Sequence, residues 1–212
     1  EVPFPRNTLP LFTRSVMHGH YISLKENNKV VLVWRDGRDV LISQYYHYLF
    51  PNDRGNKLLV EKCRSDLQFA DFTDIRRNLG AFMDYMYGSR MHPKFTWSEF
   101  VFRWADRTDC IHVKYEALRS SPTQELQRIL GKMVGISLLE DRAKEVVDKF
   151  SFLKVSGRIP GVENPGSFMR KGMVGDWKNY FDRELALKFD KYAGSALIHL
   201  GYEKDDSWTL YS

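Results

Sequence analysis

Two segments of the sequence carry side chains that could together bind an anion. In the first, Arg35 directly follows an apolar stretch, and Ser43 stands eight positions later in a helical pattern. The free N–H groups and positive end of that helix face the same place as Arg35, and a guanidinium, a hydroxyl and a helix N-terminus make a phosphate site. The spacing suits equally an ion pair of Arg35 with Asp36 or Asp39 and a backbone bond of Ser43, so both interpretations stay open.

The second segment has the sequence FMRKGMVGDWKN over positions 168–179. Arg170 and Lys171 are adjacent, and Gly172 after them lets a bare backbone N–H approach the same anion. The segment ends a loop over 156–175 with five glycines and two prolines, which suits a segment that closes over a ligand. The alternative is a solvated basic turn.

The elements that must position these residues are strands and helices in alternation. The apolar run over 29–34 is typical of a strand buried on both faces, as in parallel sheets flanked by helices. A turn and a helix to about Phe50 follow, which places Arg35 at the carboxyl end of a strand, where open α/β sheets bind ligands. Residues 110–115 alternate like a second core strand. The pattern predicts an α/β domain.

The other elements are predicted from periodicity and end signals. Two serines begin capping-box patterns, Ser121 with Pro at the first helical position and Ser137 with Glu three residues on. We expect an irregular, mobile segment over 51–71, helices over 73–87 and from about Thr96, Ser121, Ser137 and Asp182, and a long loop over 156–175.

Composition narrows the class of protein. The 212 residues are 43% hydrophobic and 28% charged, which excludes a disordered or fibrous chain and suits a single domain. No apolar run is long enough to cross a membrane and no signal peptide is visible, so we expect a cytoplasmic protein. Two cysteines make no disulfide framework, and no metal site is expected. The net charge is +5, but the basic residues are interleaved with acidic ones rather than clustered, so we expect no nucleic-acid partner.

The two anion-binding segments resemble the sulfotransferases that use 3′-phosphoadenosine-5′-phosphosulfate (PAPS), over about residues 18–179. That family has an Arg at a strand end with Ser eight positions on, and later an Arg-Lys-Gly-x-x-Gly-Asp-Trp-Lys-Asn segment. The resemblance implies that the 3′-phosphate of the donor, or of its product adenosine 3′,5′-bisphosphate (PAP), is bound by five residues: Arg35, Ser43, Arg170, Lys171 and Gly172.

The same resemblance implies two adenine contacts and a base. Tyr115 matches the Tyr of the family's strand ending in Tyr-Glu, and Phe152 matches its purine-packing aromatic, although Phe150 replaces the family's Thr. The base is a His just upstream of the Arg strand. Imidazole suits removal of a hydroxyl proton near neutral pH, and we prefer His18, with His20 as second choice.

The resemblance implies a fold and an activity. The fold is α/β, a P-loop-kinase-like three-layer arrangement with a central parallel sheet flanked by helices, in one sulfotransferase domain over residues 1–212. Its first strand and its Gly/Ser-rich phosphate loop are absent from this sequence, and we expect an N-terminally incomplete chain rather than a lost activity, because the remaining pattern is intact. The activity is in-line sulfonate transfer from PAPS to an acceptor hydroxyl of a small molecule or glycan.

Two other function classes stay open beside the transferase. One is a non-catalytic nucleotide-binding or interaction module derived from the same fold. The other is a kinase-like phosphoryl transferase, for which no Walker A motif is present. The oligomeric state is open.

Overall fold

A computed structural model describes residues 30–88 and 94–210. The elements are β1 (Val31–Trp34), α1 (Gly37–Leu49), α2 (Lys57–Leu67), α3 (Ile75–Gly88), α4 (Trp97–Trp104), β2 (Ile111–Lys114), α5 (Tyr115–Ser120), α6 (Pro122–Val134), α7 (Glu140–Lys149), α8 (Phe152–Ser156) and α9 (Arg183–His199). Two 3-10 turns, Asp176–Asn179 and Asp206–Leu210, lie on either side of α9. In this part of the chain no helix is long and apolar enough to cross a membrane.

The two strands pair in parallel, as predicted. Val31 is opposite Ile111 and Trp34 is opposite Lys114, so both strands end at the same edge and the residues that follow them meet there. Trp34 Nε1 donates to His112 Nδ1 at 2.9 Å across the pair. The prediction that β1 is buried on both faces is wrong for Val33, which is 52% exposed, because the described residues cover only the face that carries Leu32 and Trp34.

Helix α1 positions the site because it is anchored in the core along most of its length. Asp36 caps it and accepts from the backbone N–H of Arg38. Its apolar side packs with α3 and α9 in the larger of two core clusters. The α1 members of that cluster are Leu41, Ile42, Tyr45, Tyr48 and Leu49. A smaller cluster joins β1 to α4 and α9 through Trp34, Trp104 and Ala196.

Several predicted elements differ from the structure. The segment over 51–71 contains α2, which buries Val60 and Cys63 and packs the partly buried Leu59 and Leu67 against the core. The turn at Ser121 begins α6 with Pro at its first position, but the Ser121 side chain makes no capping bond. The second capping box is not used, since α7 begins at Glu140 after Leu139. The short helix α8 was not predicted, whereas the starts of α4 at Thr96 and of α9 at Asp182 are confirmed.

Candidate nucleotide-binding site

The site begins where β1 and β2 end. Arg35 follows β1 and Tyr115 follows β2, and the guanidinium carbon of Arg35 lies 4.7 Å from the centre of the Tyr115 ring. The next residues of the two segments are also in contact, because the backbone N–H of Asp36 donates to Glu116 Oε1 at 3.0 Å. The parallel register therefore brings together two residues that are far apart in the chain.

Arg35 is only partly satisfied by its neighbours. One terminal nitrogen donates to the carbonyl of Met173 at 3.2 Å and lies 3.6 Å from Asp39 Oδ2. Its Nε is buried and has no hydrogen-bond partner within residues 30–88 and 94–210. The ion pair with Asp39 was one of the alternatives that the sequence left open, whereas Asp36 is bound by Arg38 instead. A buried donor without a partner is costly, and an anion would satisfy it.

The loop after α8 is held in place by hydrogen bonds to charged side chains. Arg158 donates to the carbonyls of Val162, Met169 and Arg170 at 2.8, 2.5 and 2.7 Å. Asp53 accepts from the loop at two further points, the Ser167 hydroxyl and the Phe168 N–H. The end of the loop is fixed to α1, because Asp39 accepts from the N–H groups of Gly175 and Trp177 at 2.8 and 3.0 Å.

The two basic residues of the loop share one buried carboxylate. Asp176 accepts from Arg170 at 2.5 Å and from Lys171 at 2.6 Å. Burial alone raises the pKa of Asp176, but these two bonds outweigh it and hold the pKa below its usual value. A second carboxylate, Glu163, pairs with the other terminal nitrogen of Arg170 at 2.5 Å. The two cations are thus positioned by acidic partners.

Gly172 lies directly against an aromatic ring. Its φ is +65°, a conformation that L side chains rarely adopt, and a Cβ built on it would lie 2.6 Å from Phe152 Cδ2. Phe152 is buried at the start of α8, where Ser151 caps the helix by accepting from the Lys154 N–H. The glycine lets the backbone and the ring approach each other at the site.

These residues surround one cavity of about 700 Å³. Its wall includes all seven residues that the sequence assigned to a nucleotide: Arg35, Ser43, Tyr115, Phe152, Arg170, Lys171 and Gly172. Ser43 is exposed on α1, and in the described part of the chain its hydroxyl makes no hydrogen bond, so the predicted alternative of a backbone bond is not formed. The candidates for the base, His18 and His20, lie outside the described residues. The donor groups on the wall fit a phosphate.

The residues that hold this arrangement together were not assigned that role from the sequence. Asp39 was considered only as an ion-pair partner of Arg35, Asp176 lies inside a quoted motif but received no role, and Arg158 was not singled out. His47 also lines the cavity, and its position four residues after Ser43, on the same face of α1, was the signal that could have identified it.

Comparison with known proteins places the chain in a family. The family model of the sulfotransferase domain matches residues 7–201. The chain belongs to this family. It is 29% identical over 213 residues to a flavonol sulfotransferase-like protein of Flaveria bidentis, covering 92% of this chain and 63% of that relative. It is also 29% identical over 189 residues to sulfotransferase 1C2 of Homo sapiens, covering 80% and 55% of the two chains. The sulfotransferase chain thus spans somewhat more than half the length of these relatives.

Solved structures share the fold. Mouse sulfotransferase SULT7A1 in complex with PAP superposes with a TM-score of 0.58 at 17% identity, covering 80% of this chain and 58% of that one. Retinol dehydratase in complex with androsterone and PAP gives a TM-score of 0.52 at 20% identity, covering 80% and 47%. The predicted α/β sulfotransferase fold with a parallel sheet is confirmed.

Proposed function

We propose that this chain, as one domain over residues 1–212, is part of a PAPS-dependent sulfotransferase and binds the adenosine 3′,5′-bisphosphate portion of the donor. The observation that carries the proposal is the convergence of Arg35, Ser43 and residues 170–172 on one cavity, together with the unpartnered buried Nε of Arg35. Three basic side chains, a hydroxyl and a close-approach glycine suit a 3′-phosphate better than a neutral group. The complexes of the two solved relatives with PAP support this choice.

The proposed roles follow the chemistry of each side chain. Arg35 and Ser43 would bind the 3′-phosphate from the strand end and α1, and Arg170, Lys171 and the Gly172 N–H would bind it from the loop. Tyr115 and Phe152 would contact the adenine, since both are aromatic residues of the same wall. Two of the three cations are preorganised by Asp176, which reduces the entropy that ligand binding must overcome.

The reaction would move a sulfonate group to an acceptor hydroxyl. The sulfur–oxygen bond to the phosphate breaks, a sulfur–oxygen bond to the acceptor forms, and the hydroxyl proton passes to His18, with His20 as second choice. Replacing the true base by Ala should lower kcat by about 10²–10⁴-fold, and replacing the other His should change kcat little. Equal, small losses at both positions would overturn this assignment.

The proposed acceptor is a small molecule with an aromatic framework. The cavity wall is rich in aromatic residues, including Phe95, Trp97 and Phe100, which suit a flat apolar ligand. The name of the flavonol sulfotransferase-like relative fits this class. A glycan acceptor would call for more polar groups on the wall.

Thermal unfolding with nucleotides tests the nucleotide site. PAP at about 100 times its dissociation constant should stabilise the chain by about 2.7 kcal/mol, and 5′-AMP at equal concentration should stabilise it far less. Arg35→Ala and Lys171→Ala should abolish the PAP effect, whereas Lys178→Ala should keep it, because Lys178 is exposed in the same segment and does not line the cavity. Equal effects of the two nucleotides, or none, would favour a non-catalytic interaction module.

A further inference from the structure

His47 lies on the cavity wall one helical turn beyond Ser43. The two residues are four positions apart in α1 and both line the cavity, so they are separated by about 6 Å along the helix axis. His47 is on the side of Ser43 away from the α1 N-terminus and Arg35. A ligand that extends past the phosphate site in this direction therefore meets the His47 ring.

The hydrogen bonds around Asn52 determine which ring nitrogen of His47 carries a proton. The backbone N–H of Arg54 donates to Asn52 Oδ1 at 3.0 Å, so the other amide atom, Nδ2, must face His47. Asn52 Nδ2 lies 3.2 Å from His47 Nδ1. Because an amide nitrogen only donates, Nδ1 must accept and is unprotonated. The ring is then neutral, with its proton on Nε2.

The surroundings of the ring agree with this protonation state. Burial lowers the pKa of His47, which favours the neutral form. The backbone at His47 is fixed as well, since Asn56 Nδ2 donates to the carbonyls of His47 and Phe50. Within residues 30–88 and 94–210, Nε2 has no hydrogen-bond partner. Its N–H is a free donor on a residue whose other nitrogen is occupied.

The neighbouring group is aromatic. The Phe168 ring lies edge-on to His47 at 5.9 Å between ring centres and also lines the cavity. Asn52 is a third member of this part of the wall. A flat ligand packed against Phe168 would therefore lie next to the His47 ring.

We propose that His47 is a specificity-determining residue that donates a hydrogen bond from Nε2–H to a second oxygen of the acceptor, so that phenols carrying a carbonyl oxygen are preferred over alkyl phenols. This inference rests on the proposed function. His47 has no part in the transfer step, because a neutral ring with Nδ1 occupied offers no lone pair to an acceptor hydroxyl.

The first test is the tautomer of His47, which does not depend on the proposed function. A ¹⁵N–¹H correlation spectrum of the full chain, with His47→Gln to assign the signals, should show an unprotonated Nδ1 and a protonated Nε2. Asn52→Ala, which removes the donor to Nδ1, should change the Nδ1 signal. A proton on Nδ1 in the unmodified chain would overturn the inference.

The second test compares two phenols of similar size by calorimetric titration into the full chain saturated with PAP. His47→Phe should weaken binding of 4-hydroxyacetophenone about tenfold and change binding of 4-ethylphenol less than about twofold. His47→Gln, which keeps an N–H near the Nε2 position, should retain most of the affinity for the carbonyl compound.

The outcomes separate the inference from the function on which it rests. Equal losses for both phenols, no loss for either, or PAP binding without binding of either phenol would overturn the role of His47 and leave the nucleotide site intact. A chain that does not bind PAP would overturn the proposed function and this inference with it.

Discussion

At the scale of single residues, the cations of the cavity are already paired with carboxylates. Arg170 contacts both Asp176 and Glu163, and Lys171 contacts Asp176. The two carboxylates differ in burial, since the side chain of Asp176 is 2% exposed and that of Glu163 is 29% exposed. An anionic ligand must compete with these partners. Displacing Glu163 costs less free energy than displacing Asp176, because water can solvate the partly exposed carboxylate of Glu163.

Glu163→Gln should therefore strengthen PAP binding. The substitution removes a competing charge while it keeps the size of the side chain, and a partly exposed ion pair contributes up to about 1 kcal/mol, or about fivefold in affinity. Calorimetric titration measures the change. As a control, Glu145→Gln removes an exposed ion pair on α7 and should leave the affinity for PAP unchanged. If Glu163→Gln bound PAP more weakly, Glu163 would not compete with the ligand for Arg170.

Two glycines of the loop provide a matched comparison. Gly172 and Gly175 both have positive φ, but only Gly172 would place a Cβ against Phe152, while Gly175 has nothing within 4 Å. Each Ala substitution should cost about 1–2 kcal/mol of backbone strain. Gly172→Ala should in addition weaken PAP binding at least tenfold, because Phe152 must move. Similar affinities of the two variants would show that the contact with Phe152 does not matter to the site.

The lowered pKa of His47 makes stability depend on pH. The unfolded chain takes up a proton below about pH 6.5, whereas the folded chain resists it because burial lowers the pKa of His47. The free energy of unfolding should therefore decrease as the pH falls below about 6.5 and stop decreasing, for this group, below the folded-state pKa. Urea unfolding of the unmodified chain and of His47→Gln measures this, and the variant should lose less stability between about pH 7.5 and about pH 5.5. If both proteins lost the same stability over this pH range, His47 would not be the group responsible.

At the scale of elements, α1 and the loop are joined through Asp39. The Asp39 side chain is fully buried and accepts from two backbone N–H groups near the end of the loop. It also faces Arg35, so one carboxylate connects the strand end, the helix and the loop. Burial raises the pKa of Asp39, although Arg35 and the two N–H groups oppose the rise.

Asp39→Ala should cost about 3 kcal/mol, because it leaves two backbone N–H groups in the interior without an acceptor. Asp39→Asn keeps one oxygen and should cost less. Chemical denaturation measures both losses. The loop should also become more open to limited proteolysis in Asp39→Ala, and an unchanged cleavage rate together with a loss below about 0.5 kcal/mol would contradict this role.

The elements that could be predicted from sequence were those with a strong local signal. The apolar run that became β1 and the glycine-rich loop before Asp176 are examples, and the seven residues of the cavity wall came from motifs that carry a family's chemistry. Helix α2 was missed because only two of its residues, Val60 and Cys63, are fully buried, and they give too weak a period. The loop-anchoring role of Asp39 was missed because it depends on which backbone groups approach from a distant segment, and Asp39 lies 136 positions from Gly175. The role of Asp176 was missed because the sequence does not show that the side chains of Arg170 and Lys171 both turn toward it.

At the scale of the whole molecule, the 3-10 turn after α9 closes the core. Trp208 is 7% exposed, donates from Nε1 to Asp190 at 3.1 Å and meets the Trp177 ring edge-on at 6.2 Å. The guanidinium of Arg38 lies over both rings, at 3.8 Å from the centre of Trp177 and 4.7 Å from that of Trp208. The turn thereby covers the base of α1.

Trp208→Ala should destabilise the chain by about 3–5 kcal/mol, since it opens a large cavity in the core. Leu210→Ala in the same turn should change stability by less than about 0.5 kcal/mol, because Leu210 is 57% exposed. Urea denaturation of the two variants measures both changes in the free energy of unfolding. Equal, small effects would mean that this turn is not part of the cooperative unit.

The parallel pairing of β1 with β2 has a consequence for how the chain is made. Trp34 and His112, which bond across the pair, are 78 positions apart, so at usual rates of translation the first strand leaves the ribosome several seconds before its partner. During that interval the apolar run of β1 lacks β2, its partner strand in the described part of the chain, and is a site for chaperone binding or aggregation. The edge that later presents Arg35 to the cavity is therefore completed late in biogenesis.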